Sequence, residues 1–376
     1  MSTLEKITDS VLDQQAGADN QLLIKPWNPT ELRVDTLLAT EPDPVQYLID
    51  GVLPKGVVGV LAGEGGIAKS LAALDLSIRL ACFSVLGPTD WLGILPIMQG
   101  RKVLYCNLED DMPDLHRRLL SLVRRSIIGN DTSEEMKQRI LFAITEGLFV
   151  LPREKALTGS TETFVDCNGN GTALFQRLQA TCDIIKPELI VMDTRTKASC
   201  ADENDNAIAG AEMETWSKLR DKIGATILVI THTNKLSRMS AGEFGSSMVR
   251  GASSYTDNAR WVMTFKGKGH DCNGNRVIEV GNPKNNRCKC FEPFSVSLQY
   301  PRFVQVDEKD IIGNGSMEAV LRYVKENPGC KQRDAIEALG GTVPKNAVNK
   351  AFQIAVRDKT IVHEKREGGD KGYYAA

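Results

Sequence analysis

Short apolar runs that end in polar or acidic residues recur through the first two thirds of the chain. They occupy residues 57–62, 101–111, 187–194 and 225–235. Segments with apolar positions at helical spacing lie between them, for example at residues 71–78. Continuous apolar runs are typical of parallel strands that are buried on both faces, and their alternation with helices indicates crossover connections. The pattern therefore predicts an α/β fold with a mostly parallel central sheet.

The pattern changes on the C-terminal side of this region. Polar and apolar residues alternate through residues 276–280, 294–298 and 303–306. Because this alternation is typical of antiparallel strands with one solvated face, we predict an antiparallel edge on the sheet.

Residues 316–376 have a pattern of their own, which predicts three helices followed by a strand, a turn and a strand. The third helix, at residues 346–358, has these apolar side chains: Val348, Ala351, Phe352, Ile354 and Ala355. Three helices and a hairpin describe a small winged-helix-like α+β domain, linked to the core through residues 310–315. The predicted division is a flexible N-terminal arm at residues 1–40, a core at residues 41–310 and this small domain.

Residues 63–70, with the sequence Gly-Glu-Gly-Gly-Ile-Ala-Lys-Ser, follow the first apolar run and precede a helical segment. Strand, glycine-rich turn, Lys-Ser and helix is the context that a phosphate-binding loop requires. Glycines let backbone N–H groups approach an anion, and the helix start adds its dipole. Lys69 would reach the β- and γ-phosphates of a nucleotide, and the Ser70 hydroxyl would ligate Mg²⁺. The candidate nucleotide-binding residues are Gly63, Glu64, Gly65, Gly66, Ile67, Ala68, Lys69, Ser70 and Leu71.

One position departs from the phosphate-loop pattern G-x-x-x-x-G-K-[ST], because Ala68 stands where the last glycine is expected. The position is close to the helix start, where a methyl group can often be tolerated, so we predict a variant loop. An ordinary strand–turn–helix with a chance Lys-Ser pair is the alternative.

Three of the apolar runs end in side chains that suit nucleotide chemistry. Glu109 follows the second strand, and open α/β sheets bind ligands at this C-terminal edge. Asp193 closes the third run, as in a Walker B strand that presents a carboxylate to Mg²⁺. His232 closes the next run and would sense the γ-phosphate. The alternatives are a strand that ends in a capping aspartate and a plain surface histidine.

The composition is that of a soluble globular protein, with 42% apolar and 25% charged residues among 376. A formal net charge of -2 announces no overall basic field for nucleic acid. We expect no membrane partner and a cytoplasmic location, because no apolar run could span a bilayer and a signal-peptide layout is missing. Nine cysteines suggest reduced thiols. A metal site at Cys272, Cys288 and Cys290 is disfavoured, since the C-x₂-C spacing of zinc sites is missing.

The C-terminal segment is mildly basic, with 11 lysines and arginines against 8 acidic residues from residue 316 onward. This bias suits contact with duplex DNA through the third helix and the hairpin. Packing or subunit contact is the alternative use of the segment.

Several motifs occur in a fixed order along residues 42–305. They are residues 44–51, 63–70, 108–111, 192–193, 203–206, 231–235, 250–254 and 257–260. Together they resemble the RepA-type branch of RecA-like ATPases, known from plasmid and phage replicative helicases. The resemblance implies a RecA-like P-loop core that is commonly assembled as a hexameric ring and uses ATP with Mg²⁺. The C-terminal segment also resembles winged helices attached to such ATPases.

The resemblance also implies roles for individual residues. Glu109 would be the water-activating base, Asp193 the Walker B carboxylate and His232 the sensor. One arginine of residues 250–260 would act on the ATP of a neighbouring subunit, with Arg260 as first choice and Arg250 as second. Since the family usually has glycine in place of Ala68, its effect on the turnover rate is in question more than its effect on binding.

The expected function is ATP hydrolysis that drives a nucleic-acid motor, foremost a ring-forming DNA helicase acting on single-stranded DNA. Residues 235–249, which follow the sensor histidine, are the candidate DNA-contacting loop. Two alternatives stay open: an ATP-dependent DNA-binding regulator without unwinding activity, and a recombinase-like filament ATPase.

Overall fold

A computed structural model describes residues 27–156, 163–232, 253–271, 273–307, 310–340, 343, 345–365 and 371–376. The chain divides into two compact units, residues 1–44 and residues 45–376. In the first unit a short helix, α1, spans Asp35–Leu38. Residues 1–26 of the predicted arm lie outside the described residues.

All further elements belong to the second unit. Its strands are β1 (Tyr47–Ile49), β2 (Leu53–Pro54), β3 (Val58–Gly63), β4 (Thr89–Trp91), β5 (Leu95–Ile97), β6 (Val103–Asn107), β7 (Leu148–Pro152), β8 (Leu189–Asp193), β9 (Thr226–His232), β10 (Trp261–His270), β11 (Arg276–Asn285), β12 (Phe294–Gln299), β13 (Arg302–Gln305), β14 (Ile312–Gly313), β15 (Ile361–Lys365) and β16 (Lys371–Ala375).

Its helices are α2 (Lys69–Leu86), α3 (Met112–Leu122), α4 (Glu134–Gly147), α5 (Arg153–Ala156), α6 (Ala173–Ile185), α7 (Arg195–Ala198), α8 (Asn206–Ile223), α9 (Ser253–Asn258), α10 (Asn314–Glu326), α11 (Gln332–Leu339) and α12 (Lys345–Arg357). A π-helical turn at Val123–Ile127 continues α3. Within the described part of the chain, every helix is too short or too polar to cross a bilayer.

Side-chain caps fix where four of these helices begin. Asp111, Ser133, Thr172 and Asp205 precede α3, α4, α6 and α8, and each side chain accepts a hydrogen bond from a backbone N–H of the first turn. Such a cap satisfies a donor that the helix itself leaves unpaired, at a gain of about 1 kcal/mol. The helix starts therefore follow from local sequence.

The central sheet has ten strands. Their order is β13-β12-β11-β10-β3-β9-β8-β6-β7, and β14 pairs with β10. The strands from β10 to β7 run parallel, whereas β11, β12 and β13 form an antiparallel edge. The predicted α/β class with a mostly parallel sheet and an antiparallel edge is thus confirmed. The hydrophobic pattern did not predict the hairpins β1–β2 and β4–β5, whose strands have three residues or fewer.

Both faces of the parallel strands are buried, in two separate apolar cores. In β3, Val58, Val60 and Ala62 pack into one core, while Leu61 packs into the other. The first core includes residues of α2 and α4, and the second includes residues of α6 and α8. Because successive strand side chains point to opposite faces, a strand between two cores must be apolar throughout. This burial explains the uninterrupted apolar runs in the sequence.

The C-terminal helices α10, α11 and α12 share a third apolar cluster with β15. The buried side chains of α12 are Val348, Ala351, Phe352, Ile354 and Ala355, so the predicted apolar face is confirmed. β15 and β16 pair as an antiparallel hairpin. The assignment as a winged helix, and its boundary with the core, stay predictions.

The predicted linker at residues 310–315 is not a free tether. Its residues Ile312 and Gly313 form β14 and pair with His270 and Gly269 of β10. Helix α10 begins directly afterwards at Asn314. Glycine and asparagine suggested a flexible joint, but two residues of backbone pairing are too short to leave a hydrophobic pattern.

Candidate functional site

The C-terminal ends of the parallel strands bring most of the predicted site residues to one edge of the sheet. In the strand register, Gly63 of β3 lies opposite His232 of β9, and Asn107 of β6 lies opposite Asp193 of β8. A cleft of about 360 Å³ opens at this edge. It is lined by Gly66, Ile67, Ala68, Lys69, Ser70, Leu71, Glu109, Asp110, Arg118, Thr194, His232, Leu298 and Tyr300.

The loop that joins β3 to α2 is fixed at one end and open in its middle. At Gly63 a Cβ atom would lie 2.7 Å from the backbone oxygen of Phe265, so a side chain does not fit there. Ile67 is buried in the core, whereas Gly65 and Gly66 are exposed. Helix α2 begins at Lys69 without a side-chain cap. Uncapped N–H groups at a helix start, beside exposed glycine backbone, make a suitable anion site.

Ala68 has a strained backbone. Its φ of 66° and ψ of 26° lie in the left-handed region. For a residue with a Cβ atom this conformation costs roughly 1–2 kcal/mol. The methyl group is therefore accommodated sterically, as the sequence suggested, but at a conformational cost that glycine would not have.

Lys69 is almost fully buried, with 5% of its surface exposed. Its Nζ donates to the carbonyl oxygens of Gly63 at 2.8 Å and Glu64 at 2.7 Å. Burial lowers the pKa of Lys69 to about 8, and nearby Asp193 and Glu109 only partly oppose this shift. Since a buried ammonium is costly next to neutral carbonyls alone, an anion in the cleft would stabilise it.

Asp193 is also buried, with hydroxyl groups on both carboxylate oxygens. Ser70 Oγ donates to Oδ1 at 2.9 Å, and the Tyr105 hydroxyl donates to Oδ2 at 2.5 Å. Burial raises the pKa of Asp193 to about 6, although these two hydrogen bonds lower it. A carboxylate next to a serine hydroxyl is a set of hard oxygen ligands, which fits Mg²⁺. Ser70 and Asp193 are therefore the residues that could hold the ion.

The acidic end of β6 separates into two roles. Asp110 forms an ion pair with Arg118 from α3, while the side chain of Glu109 is exposed in the cleft. Burial raises the pKa of Asp110, and Arg118 opposes that shift. Asn107 Nδ2 donates to the Asp110 carbonyl at 2.8 Å and so holds the turn. Glu109 is thus placed where it could contact a water molecule in the cleft.

The predicted arginines are not part of this cleft. The Arg260 N–H donates to the Val58 carbonyl at 3.0 Å, at the start of β3, whereas the phosphate-type loop leaves from the other end of that strand. Six strand residues separate the two ends by about 20 Å. The role predicted for Arg260 is on a neighbouring subunit, and it stays a prediction. Arg250 and residues 235–249 lie outside the described residues.

Other side chains of the site were not predicted from the sequence. Tyr105 and Arg118 contact predicted site residues, and Leu298 and Tyr300 line the cleft from the β12–β13 hairpin. Arg276 Nη1 donates to the Gly66 carbonyl at 2.6 Å. The acidic strand end followed by an arginine-rich helix was a usable signal for Arg118. The hairpin residues had no local signal, because only the fold returns them to the loop.

The fold and the loop define an α/β P-loop protein. The family model described as "AAA domain" matches residues 25–238, which is more than half of the chain. The chain therefore belongs to the AAA domain family. The matched region contains the loop, Glu109, Asp193 and His232, whereas the predicted arginines lie beyond it.

Two solved structures are similar to this chain in fold. One is the KaiC-like protein PH0186 from Pyrococcus horikoshii OT3, at 13% identity and a TM-score of 0.44, covering 70% of this chain and 100% of that one. The other is the ATPase domain of a second protein, at 12% identity and a TM-score of 0.46, covering 82% of this chain and 100% of that domain.

The strained Ala68 predicts a stabilising substitution. Ala68→Gly is expected to raise the free energy of unfolding by about 1 kcal/mol, because glycine adopts the left-handed conformation without a Cβ clash. Urea unfolding of the nucleotide-free protein measures this change. The matched control is Ala81→Gly in the interior of α2, which should lower the free energy of unfolding by about 1 kcal/mol. Similar losses for both variants would contradict strain at Ala68.

The buried Asp193 predicts a pH dependence of stability. Its pKa rises from the ordinary 3.8 to about 6 on folding, so the folded chain binds an extra proton between these values. The resulting stabilisation is present below the lower value and is lost as the pH rises through the upper one.

Asp193→Asn removes this titration. Across this pH range, the free energy of unfolding of the native chain should fall relative to that of the variant by up to about 3 kcal/mol. Urea unfolding of both proteins, without nucleotide or divalent cations, measures the difference. Parallel pH profiles would show that Asp193 has an ordinary pKa.

Proposed function

We propose that this chain is an ATP-hydrolysing nucleic-acid motor, and more narrowly a ring-forming DNA helicase for plasmid- or phage-type replication. The observation that carries the proposal is the meeting of Lys69, Ser70 and Asp193 at one sheet edge, with Ser70 Oγ 2.9 Å from Asp193 Oδ1. A buried ammonium, a hydroxyl and a buried carboxylate are what the binding of Mg²⁺ and ATP requires in P-loop enzymes. Membership of the AAA domain family supports the same conclusion.

Nucleotide binding would use the backbone first. The exposed amides at Gly65 and Gly66 and the start of α2 would receive the phosphates, and Lys69 would exchange its two carbonyl partners for phosphate oxygens. Ser70 and Asp193 would hold Mg²⁺, which when bound neutralises phosphate charge. Tyr300, an aromatic side chain on the wall of the same cleft, would contact the part of the nucleotide beyond the phosphates.

Hydrolysis would depend on Glu109 as the base that orients and deprotonates the attacking water. His232, at the end of the neighbouring strand, would respond to the γ-phosphate and pass its state to the segment that follows. An arginine from an adjacent subunit, Arg260 first and Arg250 second, would stabilise charge in the transition state. Such fingers contribute roughly 10³–10⁵ in rate in related phosphoryl-transfer systems.

Nucleic-acid contact would come from two regions. Residues 235–249 follow His232 in sequence, so nucleotide state and single-stranded DNA contact would be coupled through β9. In the C-terminal part, α12 buries its apolar face and leaves Lys345 and Arg357 exposed, which suits contact with duplex phosphates. A hexameric ring of copies would place each cleft beside the neighbour's arginine.

This exposed basic face also favours a second candidate function, an ATP-dependent DNA-binding regulator without unwinding activity. A recombinase-like filament ATPase remains the third. The three differ in what ATP produces: strand separation, sequence-specific duplex binding, or open filaments on DNA.

Unwinding of a forked DNA duplex tests the proposed function. The native chain with ATP and Mg²⁺ should separate the strands, and single-stranded DNA should stimulate its ATPase. Lys69→Ala should lower ATP hydrolysis by about 10²–10³-fold, because the phosphates lose their charged donor. Lys102→Ala, which removes an exposed lysine at the opposite sheet edge, is the matched control and should leave turnover unchanged.

Three outcomes would count against the helicase. DNA-stimulated ATPase without strand separation would leave the motor but not the helicase. Binding to one duplex sequence would favour the regulator, and open filaments in electron micrographs would favour the recombinase. Normal hydrolysis by Lys69→Ala would contradict the nucleotide site itself.

Mixing two inactive variants tests whether the arginine finger acts between subunits. Lys69→Ala retains Arg260, and Arg260→Ala retains an intact cleft. A mixture should regain ATPase activity that neither variant has alone, because mixed assemblies contain cleft–arginine pairs with both parts present.

The control for this experiment is Arg118→Ala mixed with Lys69→Ala. Arg118 lines the cleft of its own chain, so this mixture should regain nothing. Failure of both mixtures, with assembly intact by sedimentation, would remove Arg260 as the finger and leave Arg250 to be tested in the same way.

A further inference from the structure

Two exposed cysteines face each other outside the cleft. The sulfur atoms of Cys167 and Cys200 lie 2.8 Å apart, although the residues are 33 positions apart in sequence. This separation is within about 1 Å of a covalent S–S bond length. Neither residue has a role in the proposed nucleotide chemistry.

Backbone hydrogen bonds hold the two cysteine segments together. The Val165 N–H donates to the Ala198 carbonyl, and the Cys200 N–H donates to the Val165 carbonyl, each at 3.2 Å. Beyond Cys167, the Gly169 carbonyl accepts a hydrogen bond from Thr215 Oγ1 in α8 at 2.7 Å. Both thiols are therefore fixed at bonding distance by groups other than the sulfurs.

The exposed pair differs from the buried cysteines of the core. Cys82, Cys106 and Cys182 are buried, and burial raises the pKa of each thiol. Buried thiols with raised pKa are inert, because the thiolate is the reactive form. Cys167 and Cys200 are open to a dissolved reagent.

We propose that Cys167 and Cys200 are a redox modification site, at which a low-molecular-weight disulfide such as glutathione disulfide converts the two thiols into a reversible intrachain disulfide. In reducing compartments, disulfides of this kind are transient and serve redox sensing.

The exchange balances without a further oxidant. One protein thiolate attacks glutathione disulfide, forms a mixed disulfide and releases one glutathione thiolate. The second protein thiolate then attacks the protein sulfur of that mixed disulfide and releases the second glutathione. The protein loses two hydrogens and two electrons, and glutathione disulfide is reduced to two glutathione molecules.

The reaction is expected to be slow without a catalyst. The hydrogen bond with Cys200 raises the pKa of Cys167, which makes a thiolate scarce there at neutral pH. Uncatalysed thiol–disulfide rearrangements take minutes to hours. Incubations on that timescale are therefore needed.

The bond would constrain the segment that leaves the cleft through Asp193. Helix α7 begins two positions after Asp193, and its first residue, Arg195, donates to the Ala201 carbonyl at 3.1 Å and pairs with Glu203 and Glu212. A disulfide at Cys200 would tie this segment covalently to the loop that carries Cys167.

Peptide mapping after oxidation tests the proposal. The reduced full-length protein is incubated with glutathione disulfide, its remaining thiols are alkylated, and trypsin releases residues 156–177 and residues 198–218, each with a single cysteine. A linked pair of these two peptides should be the dominant cysteine product, at least about tenfold above any other cysteine pair, and should disappear on reduction.

Substitutions and isotope labelling make the result specific. Cys167→Ser and Cys200→Ser should each abolish the linked pair, while Cys290→Ser, at a partly exposed position, should leave it unchanged. Mixing ¹⁵N-labelled and unlabelled protein separates links within a chain from links between chains. Glutathione adducts on either cysteine without a link, or links of mixed isotope composition, would overturn the proposal.

Discussion

A buried carboxylate, Asp193 at the end of β8, ties together the elements that surround the cleft. Ser70 in the first turn of α2 and Tyr105 in β6 each donate a hydrogen bond to it. An isolated carboxylate at this depth would be costly, and the two hydroxyls offset part of that cost. Strand β9 lies between β3 and β8, so the loop after β3 must reach across its end to make these contacts. This geometry puts His232 beneath the loop and sets the position of Lys69.

Charge in the cleft is poised rather than neutralised. Lys69 is held by two carbonyl oxygens of its own loop, and burial lowers its pKa. Across the cleft, burial raises the pKa of Asp193 while Asp110 pairs with Arg118. Groups displaced in opposite directions from their ordinary pKa values both gain when a partner of opposite charge arrives. A phosphate beside Lys69 and a divalent cation beside Asp193 are such partners, which is why the apo geometry favours the two ligands together.

The two apolar cores make this arrangement rigid. Parallel strands with both faces buried admit little change of register, because a shift by one residue would exchange every side chain between cores. The same register sets Gly63 opposite His232 and Asn107 opposite Asp193. Strain is then confined to the loop, where Ala68 is held in a left-handed conformation. The C-terminal cluster of α10–α12 is separate from both cores, and β14 joins it to the sheet edge.

The sequence alone determined the features that depend on near neighbours along the chain. These are the apolar strands with Glu109, Asp193 and His232 at their ends, the phosphate-type loop, and the apolar face of α12. Only the tertiary structure decided what depends on register and chain return. It paired Tyr105 with Asp193 and Arg118 with Asp110, placed Tyr300 on the cleft, set Arg260 at the far edge, and brought Cys167 to Cys200. Strand and helix periodicity is a local property, whereas contacts between distant segments require the packing energy of the whole sheet.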